Sequence, residues 1–296
     1  MREKFSIRLI SINEIPEVTN WARLEGFSPG MDDVSIYRNT DKQGVWVACL
    51  DNNPIGSIAC IKYNSSYSFI GLFIVKKEFR NNGYGVRLWK HALEYLKNVD
   101  CIGLEAAPDR LNDYAKWGFR KSSITNRWKL NGSQDLPLRN FYKDQFHSFK
   151  VVPGNKISSE AVLIYDDQRE PSPRPHFLND WLKNSHGNVS AIVDNNGMCH
   201  GFGRIRPCVL EDNEQGWRIG PLLADTPPLA ELLIRELVGD LDAQILLDCS
   251  NLNPYANYLL SSLGFEEISK TYRMYKGIQP ACPMNQVYGL ACLELG

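Results

Sequence analysis

One pattern occurs twice in this chain of 296 residues, and it limits the fold more than any other feature. The first copy reads Asp51-Asn52-Asn53, Gly56, Ile70-Gly71-Leu72-Phe73, Gly118-Phe119 and Thr125-Asn126-Arg127. The second reads Asp194-Asn195-Asn196, Gly201, Ile219-Gly220-Pro221-Leu222, Gly264-Phe265 and Thr271-Tyr272-Arg273. In both, the threonine lies six residues beyond the phenylalanine of Gly-Phe. Asp-Asn-Asn alone is an ordinary turn between two strands, but five matches in the same order are hard to obtain by chance. Self-similarity at long period means one folding unit used twice. The length agrees, at roughly 150 residues per domain. We place the units at residues 1–135 and 150–296.

Charge narrows the function. Thirty-three Lys and Arg against thirty-four Asp and Glu leave a formal net charge of -1. Nothing in that total calls for a nucleic-acid backbone or an anionic membrane as partner, so any anion site is local. Apolar runs such as Phe69 to Val75 are far shorter than the roughly 20 residues of a membrane span, and the polar start Met1 to Lys4 is not followed by a signal-peptide core. A cytoplasmic protein is expected. The eight cysteines show no C-x-x-C spacing and sit mostly in strand-like apolar runs, which reads as buried reduced thiols. The five histidines are scattered, so no metal site is expected.

The informative local segment lies between a strand-like Ser68 to Val75 and a helix-like Val86 to Leu96, whose Trp89, Ala92, Leu93 and Leu96 share one face. Between them runs Arg80-Asn81-Asn82-Gly83-Tyr84-Gly85. A strand, a turn and a helix N-terminus in that order bring unpaired backbone N–H groups and the positive end of the helix dipole to one point. Gly83 and Gly85 lack the Cβ atoms that would keep an anion away, and Arg80 and Arg87 flank the loop with positive charge. A helix start with a tight turn remains the bland alternative. The third glycine of G-x-G-x-x-G and the Gly-Lys-Ser/Thr of a P-loop are both missing, which leaves a short pyrophosphate clamp.

These residues resemble the R/Q-x-x-G-x-G/A signature of the Gcn5-related N-acetyltransferases, placed after the expected strand and before the expected helix. Cys101 to Ala106 resembles that family's next strand, and Tyr114-Ala115-Lys116-Trp117-Gly118-Phe119 its Y-x-K-x-G-F segment. Paired with a related second half, the chain resembles bacterial tandem acetyltransferases. Glu25 to Gly30, Arg174 to Leu178, Gly203 to Pro207, Gly220 to Asp225, Thr271 to Tyr275 and the terminal Glu294-Leu295-Gly296 align with that group. The resemblance implies an α/β fold in each half, a mixed, mostly antiparallel twisted sheet flanked by helices. It also implies acetyl-CoA as co-substrate, without a metal.

On that resemblance, the pantetheine arm pairs like an added strand with Phe73, Ile74 and Val75. The pyrophosphate rests on Arg80, Asn81, Asn82, Gly83, Tyr84, Gly85 and Val86. Tyr114 gives a proton to the departing thiolate; as a phenol it does so while neutral. For the general base, Glu105 and Glu25 are the candidates, each equally an ordinary salt-bridged carboxylate; Glu25 is ranked on the substrate side and Glu105 as base. The family's frequent asparagine seven residues before the tyrosine is Ala107 here, and Asn112 is the candidate replacement.

In the second half Asp225-Thr226-Pro227-Pro228 replaces the glycine loop, and Leu260 stands where Tyr114 stands in the first. Prolines lack the N–H groups a pyrophosphate needs, so this half is expected to be catalytically silent and to complete the acceptor pocket or cover the first sheet. Arg204, Arg206 and His176 are candidates for lining that pocket, with Arg204 and Arg206 more readily facing solvent from alternate strand positions. Asn131 to Gly154 reads as a tether. The expected activity is acetyl transfer to a primary amine, of a small molecule rather than a protein. The alternatives are a non-catalytic acetyl-CoA sensor or scaffold and a longer-chain acyltransferase.

Overall fold

The computed structural model describes residues 4–137 and 147–296. The first half runs β1 (Phe5–Leu9), α1 (Ile15–Leu24), α2 (Asp33–Thr40), β2 (Val45–Leu50), β3 (Asn53–Lys62), β4 (Tyr67–Val75), α3 (Tyr84–Tyr95), β5 (Cys101–Ala106), α4 (Leu111–Ala115) and β6 (Arg120–Leu130). The second repeats the order: β7 (Phe149–Pro153), α5 (Ser159–Asp167), α6 (Pro175–Lys183), β8 (Asn188–Asp194), β9 (Cys199–Val209), β10 (Gln215–Ala224), α7 (Pro227–Val238), β11 (Ile245–Ser250), α8 (Ala256–Ser262) and β12 (Glu266–Gly277). One short strand, β13 (Val287–Gly289), has no counterpart among the described residues of the first half. Part of the tether expected at Asn131 to Gly154 lies outside the described residues. Its end, Phe149–Pro153, is not tether but edge strand β7, paired antiparallel with β8. The flanking prolines and glycine masked a short Phe-Lys-Val-Val run whose β propensity is realised once β8 offers a partner.

The repeat landmarks mark real joints. Asp51 and Asn52 hold φ of 47° and 69° in the hairpin between β2 and β3, the left-handed pair that suits the twist of the strands. Helix α3 buries Leu88, Trp89 and Ala92, and α7 buries Leu229, Leu233, Ile234 and Leu237 on the equivalent sheet face. On the opposite face α1, α2, α5 and α6 share one core, in which Trp21 and Tyr37 join Phe177 and Trp181.

The two halves are one sheet, ordered β1-β2-β3-β4-β5-β12-β6-β11-β10-β9-β8-β7 among the described residues. The order reads the same from either end because each half lends its last strand to the other. Strand β12 lies antiparallel between β5 and β6, and β6 lies antiparallel against β11. Met274 of β12 is thereby buried in the first half's core, and Trp128 and Leu130 of β6 in the second's. Among the described residues, only β4–β5 and β10–β11 pair in parallel.

The repeated Thr-x-Arg is the device of this exchange. Arg127 on β6 faces Asp248 on β11, with Nε to Oδ1 at 2.8 Å. Arg273 on β12 faces Glu105 on β5, with Nε to Oε1 at 2.6 Å. Each arginine crosses to a carboxylate of the other half, and both pairs are buried. Removing one partner of such a pair strands a buried charge.

Candidate active site

The parallel pairing of β4 with β5 stops at Ile70↔Leu104. Beyond it β4 continues to Val75, paired only with β3 on its other side, so the sheet splits into a wedge. Leu72 sits there at φ 47°, where the β3–β4 register shifts between Ser57 and Ala59. Its carbonyl accepts from the Ser57 hydroxyl at 3.0 Å. A bulge of this kind bends a strand and frees main-chain groups from the ladder. Phe73, Ile74 and Val75 all line the wedge.

The loop expected to hold pyrophosphate closes one end of the same cavity. Asn81 and Gly83 take φ of 65° and 78°, and Gly83 caps α3, which has no acidic residue in its first turn. The first intrahelical bond runs from Arg87 N to Gly83 O, so the amides of Tyr84, Gly85 and Val86 lack intrahelical partners. Arg80, Asn81, Gly83, Gly85 and Val86 line the cavity. Asn82 and Tyr84 are not among the lining residues. The Asn82 amide folds back onto the carbonyl of Arg80 at 3.0 Å, and the Tyr84 ring stacks on Phe5 with centroids 5.3 Å apart. Arg87 spreads over that Phe5 ring as well.

Tyr114 lines the wedge from α4, against Trp89 at 5.1 Å between centroids. Burial pushes its phenol up to about 12, so it carries its proton at neutral pH. Asn112, two residues earlier, is exposed and outside the cavity lining.

The carboxylates are more committed than their spacing suggests. Glu25 lines the cavity but pairs with Arg80 at 2.5 Å, while Arg80 Nε donates to the carbonyl of Val75. Arg80 and Glu25 thus form one ion pair on the cavity wall, tied to the end of β4 through Val75. Glu105 also lines the cavity, yet its two oxygens accept from Thr125 at 2.9 Å, Thr271 at 2.8 Å and Arg273 at 2.6 Å.

The second half supplies much of the remaining wall, including Leu210, Leu246, Ile268, Thr271 and Glu294. Arg218 of the second half and Arg127 of the exchanged strand β6 together fix the loop after α1. Arg127 donates to the carbonyl of Gly26 at 2.8 Å, Arg218 to that of Phe27 at 3.0 Å, and both hold Asp248. Arg204 and Arg206 do neither of the things their sequence suggests. Both are buried, neither lines the cavity, and they lie over the Trp181 ring. Alternation along β9 does not expose one face here, because α2 and α6 cover it. His176 is exposed.

The second half's own wedge is filled. Where β10 passes beyond its pairing with β11, β13 pairs with it through Leu222↔Gly289 and Leu223↔Val287. Pro227 and Pro228 open α7, and Asp225 is tied to Tyr165, Arg169 and His200. Sequence reasoning missed β13 and the Glu294 wall. The available signals were that the chain runs past the end of the second copy of the repeat and that the terminal Glu294-Leu295-Gly296 aligns with the tandem group.

Two family models match the chain: the "Acetyltransferase (GNAT) family" over residues 12–119 and an "Acetyltransferase (GNAT) domain" over residues 162–289. A relative described as holothin acyltransferase, from Pseudoalteromonas sp. (strain SANK 73390), is 25% identical over 97% of this chain and 92% of its own length. Among solved structures, an acetyltransferase-described chain from Pyrococcus horikoshii superposes with a TM-score of 0.78 and 22% identity, covering 99% of this chain and 96% of that one. A tandem GNAT protein from the clavulanic acid biosynthesis pathway superposes with a TM-score of 0.62 and 12% identity, covering 95% of this chain and 100% of that one. These two likenesses concern the fold.

Proposed function

Because the chain belongs to the GNAT acyltransferases, with one such domain in each half, we propose that its first half transfers an acetyl group from acetyl-CoA to a primary amine of a small molecule. The observation that carries this reading is the split between β4 and β5, flanked by the unpaired amides at the start of α3 and by Tyr114. The open edge of β4 from Gly71 to Val75 suits a pantetheine arm laid alongside as an extra strand. The amides of Tyr84 to Val86 suit its diphosphate. That a relative along nearly the whole chain is named for acylating holothin supports a small acceptor.

The reaction then runs as follows. The neutral amine attacks the thioester carbonyl carbon, the C–N bond forms, and negative charge gathers on the carbonyl oxygen beside the bulge at Leu72. The C–S bond breaks as the Tyr114 phenol protonates the thiolate, and the phenolate takes the surplus proton from the new amide nitrogen. We assign Glu105 to holding the swapped strand rather than to the base, because its oxygens already accept three hydrogen bonds. The second half is assigned a wall-building role, since its equivalent wedge holds β13. We divide the chain into units at 1–135 and 150–296, with the exchanged strands β6 and β12 crossing that division.

Thiol release from acetyl-, propionyl- and longer acyl-CoA against a panel of primary amines tests this. Acetyl-CoA turnover with at least one amine is expected. Tight acetyl-CoA binding without thiol release would favour a sensor, and preference for a longer donor would change the acyl assignment.

A further inference from the structure

After β13 the chain does not leave the molecule but crosses both halves at the two glycines of the repeated Ile-Gly. A Cβ on Gly220 would lie 2.1 Å from the carbonyl oxygen of Leu290, and a Cβ on Gly71 would lie 2.1 Å from that of Glu294. Both glycines are therefore kept free of side chains by the same strand of tail. In the second half the tail fills the wedge. In the first it lies at the bulge, where Leu293 and Glu294 line the cavity beside Gly71 and Leu72. The Tyr63 hydroxyl fastens it by donating to the carbonyl of Leu295 at 3.0 Å.

The Glu294 carboxylate differs from those of Glu25 and Glu105, which also line the cavity. Glu25 is paired with Arg80, and Glu105 accepts from three donors. Glu294 is 3% exposed, its Oε1 has no hydrogen-bond partner among the described residues, and Oε2 accepts one long hydrogen bond from the Tyr37 hydroxyl at 3.5 Å and forms a loose ion pair with Arg218 at 3.7 Å. A buried carboxylate left this incompletely satisfied is costly unless a further cation or donor completes it.

We infer that Glu294, on the C-terminal tail, is the acceptor-amine anchor of the first half's active site: its free oxygen takes up the ammonium group of the incoming substrate. This rests on the acetyl-transfer reading above. The carboxylate then accepts one proton from the ammonium and releases it to solvent, leaving the neutral amine whose lone pair forms the C–N bond. The other departing proton ends on the thiol through Tyr114. The second half thus contributes the acceptor's charge recognition through its last residues, while its own wedge is closed by the same segment.

The test uses the full chain and two variants, Glu294→Gln and Glu294→Asp, with acetyl-CoA and the primary-amine panel. Glu294→Gln should bind acetyl-CoA as the wild type does by calorimetry, while kcat/KM for the amine falls about thirtyfold or more, chiefly in KM. Glu294→Asp should recover part of the loss. Unchanged amine kinetics in Glu294→Gln would overturn the assignment. A wild type that releases no thiol with any amine would instead overturn the transfer reading on which it rests. An acceptor-independent measurement covers the case in which a variant fails to fold. Wild-type protein treated with a water-soluble carbodiimide and methylamine should carry a methylamide on Glu294, with Glu105 spared. A tail peptide left unmodified at Glu294 would overturn the proposal.

Discussion

Thr125 and Thr271 face each other across the β6–β12 pair, and both hydroxyls donate to one carboxylate, that of Glu105. Equivalent positions of the two repeats therefore meet on the axis that relates the halves, and the contact lies at the edge of the active-site wedge. Strand exchange and site construction are one structural event. Glu105→Ala should remove the acceptor for both threonines and leave Arg273 buried without its counter-charge. The expected cost is about 3–5 kcal/mol in urea unfolding. Glu105→Gln, which keeps an acceptor oxygen, should lose less stability and retain most of its turnover per folded molecule. Loss of turnover without loss of stability in that variant would restore Glu105 as the base.

Tyr114→Phe removes the one phenol that lines the wedge among the described residues, whose proton burial holds more tightly. Steady-state kinetics should show kcat reduced about a hundredfold or more, with acetyl-CoA affinity retained. Equal kcat would remove the proton-donor assignment.

The two loop glycines should respond differently. Gly83 sits at φ +78°, whereas a Cβ on Gly85 would make only ordinary contacts, 3.5 Å from the side chains of Phe73 and Val75. Gly83→Ala should strain the turn by about 1–2 kcal/mol and weaken acetyl-CoA binding about tenfold. Gly85→Ala should bind within about twofold of wild type. Calorimetry of both variants checks the pair, and the wild-type titration should end at one acetyl-CoA per chain, because β13 fills the second wedge.

Asp248 sets an acid limit. Burial pushes its carboxyl up, but the Arg127 and Arg218 guanidinium groups outweigh burial and hold it at about 2. Its unfolded value is about 3.9, so the unfolded chain binds a proton first. The resulting stabilisation is complete above that value and is lost as pH falls from about 4 towards 2. Asp248→Asn should abolish this part of the pH dependence and cost about 3–5 kcal/mol at neutral pH, by leaving Arg127 without its buried counter-charge and Arg218 with only the looser pairing to Glu294. Urea melts at pH 7, 4 and 3 measure both effects.

Local chemistry was legible without a structure. The Asp-Asn-Asn hairpins, the amphipathic α3 and α7, the glycine turn before α3 and the prolines replacing it before α7 each depend on residues within a few positions of one another. The repeat also showed that one unit is used twice. Pairing across the halves was not legible, because Thr-x-Arg occurs in both copies and nothing local says whose carboxylate each arginine will meet. The answer lies in contacts such as Arg273 with Glu105, separated by 168 residues. For the same reason the sequence left Glu25 and Glu105 open between free acid and salt-bridged carboxylate, since their partners come from distant segments. What the tertiary structure alone decided was which carboxylates are already satisfied, which wedge is open, and that the tail closes one while walling the other. Those outcomes follow from long-range strand pairing and burial, which the periodicity of any single segment does not encode.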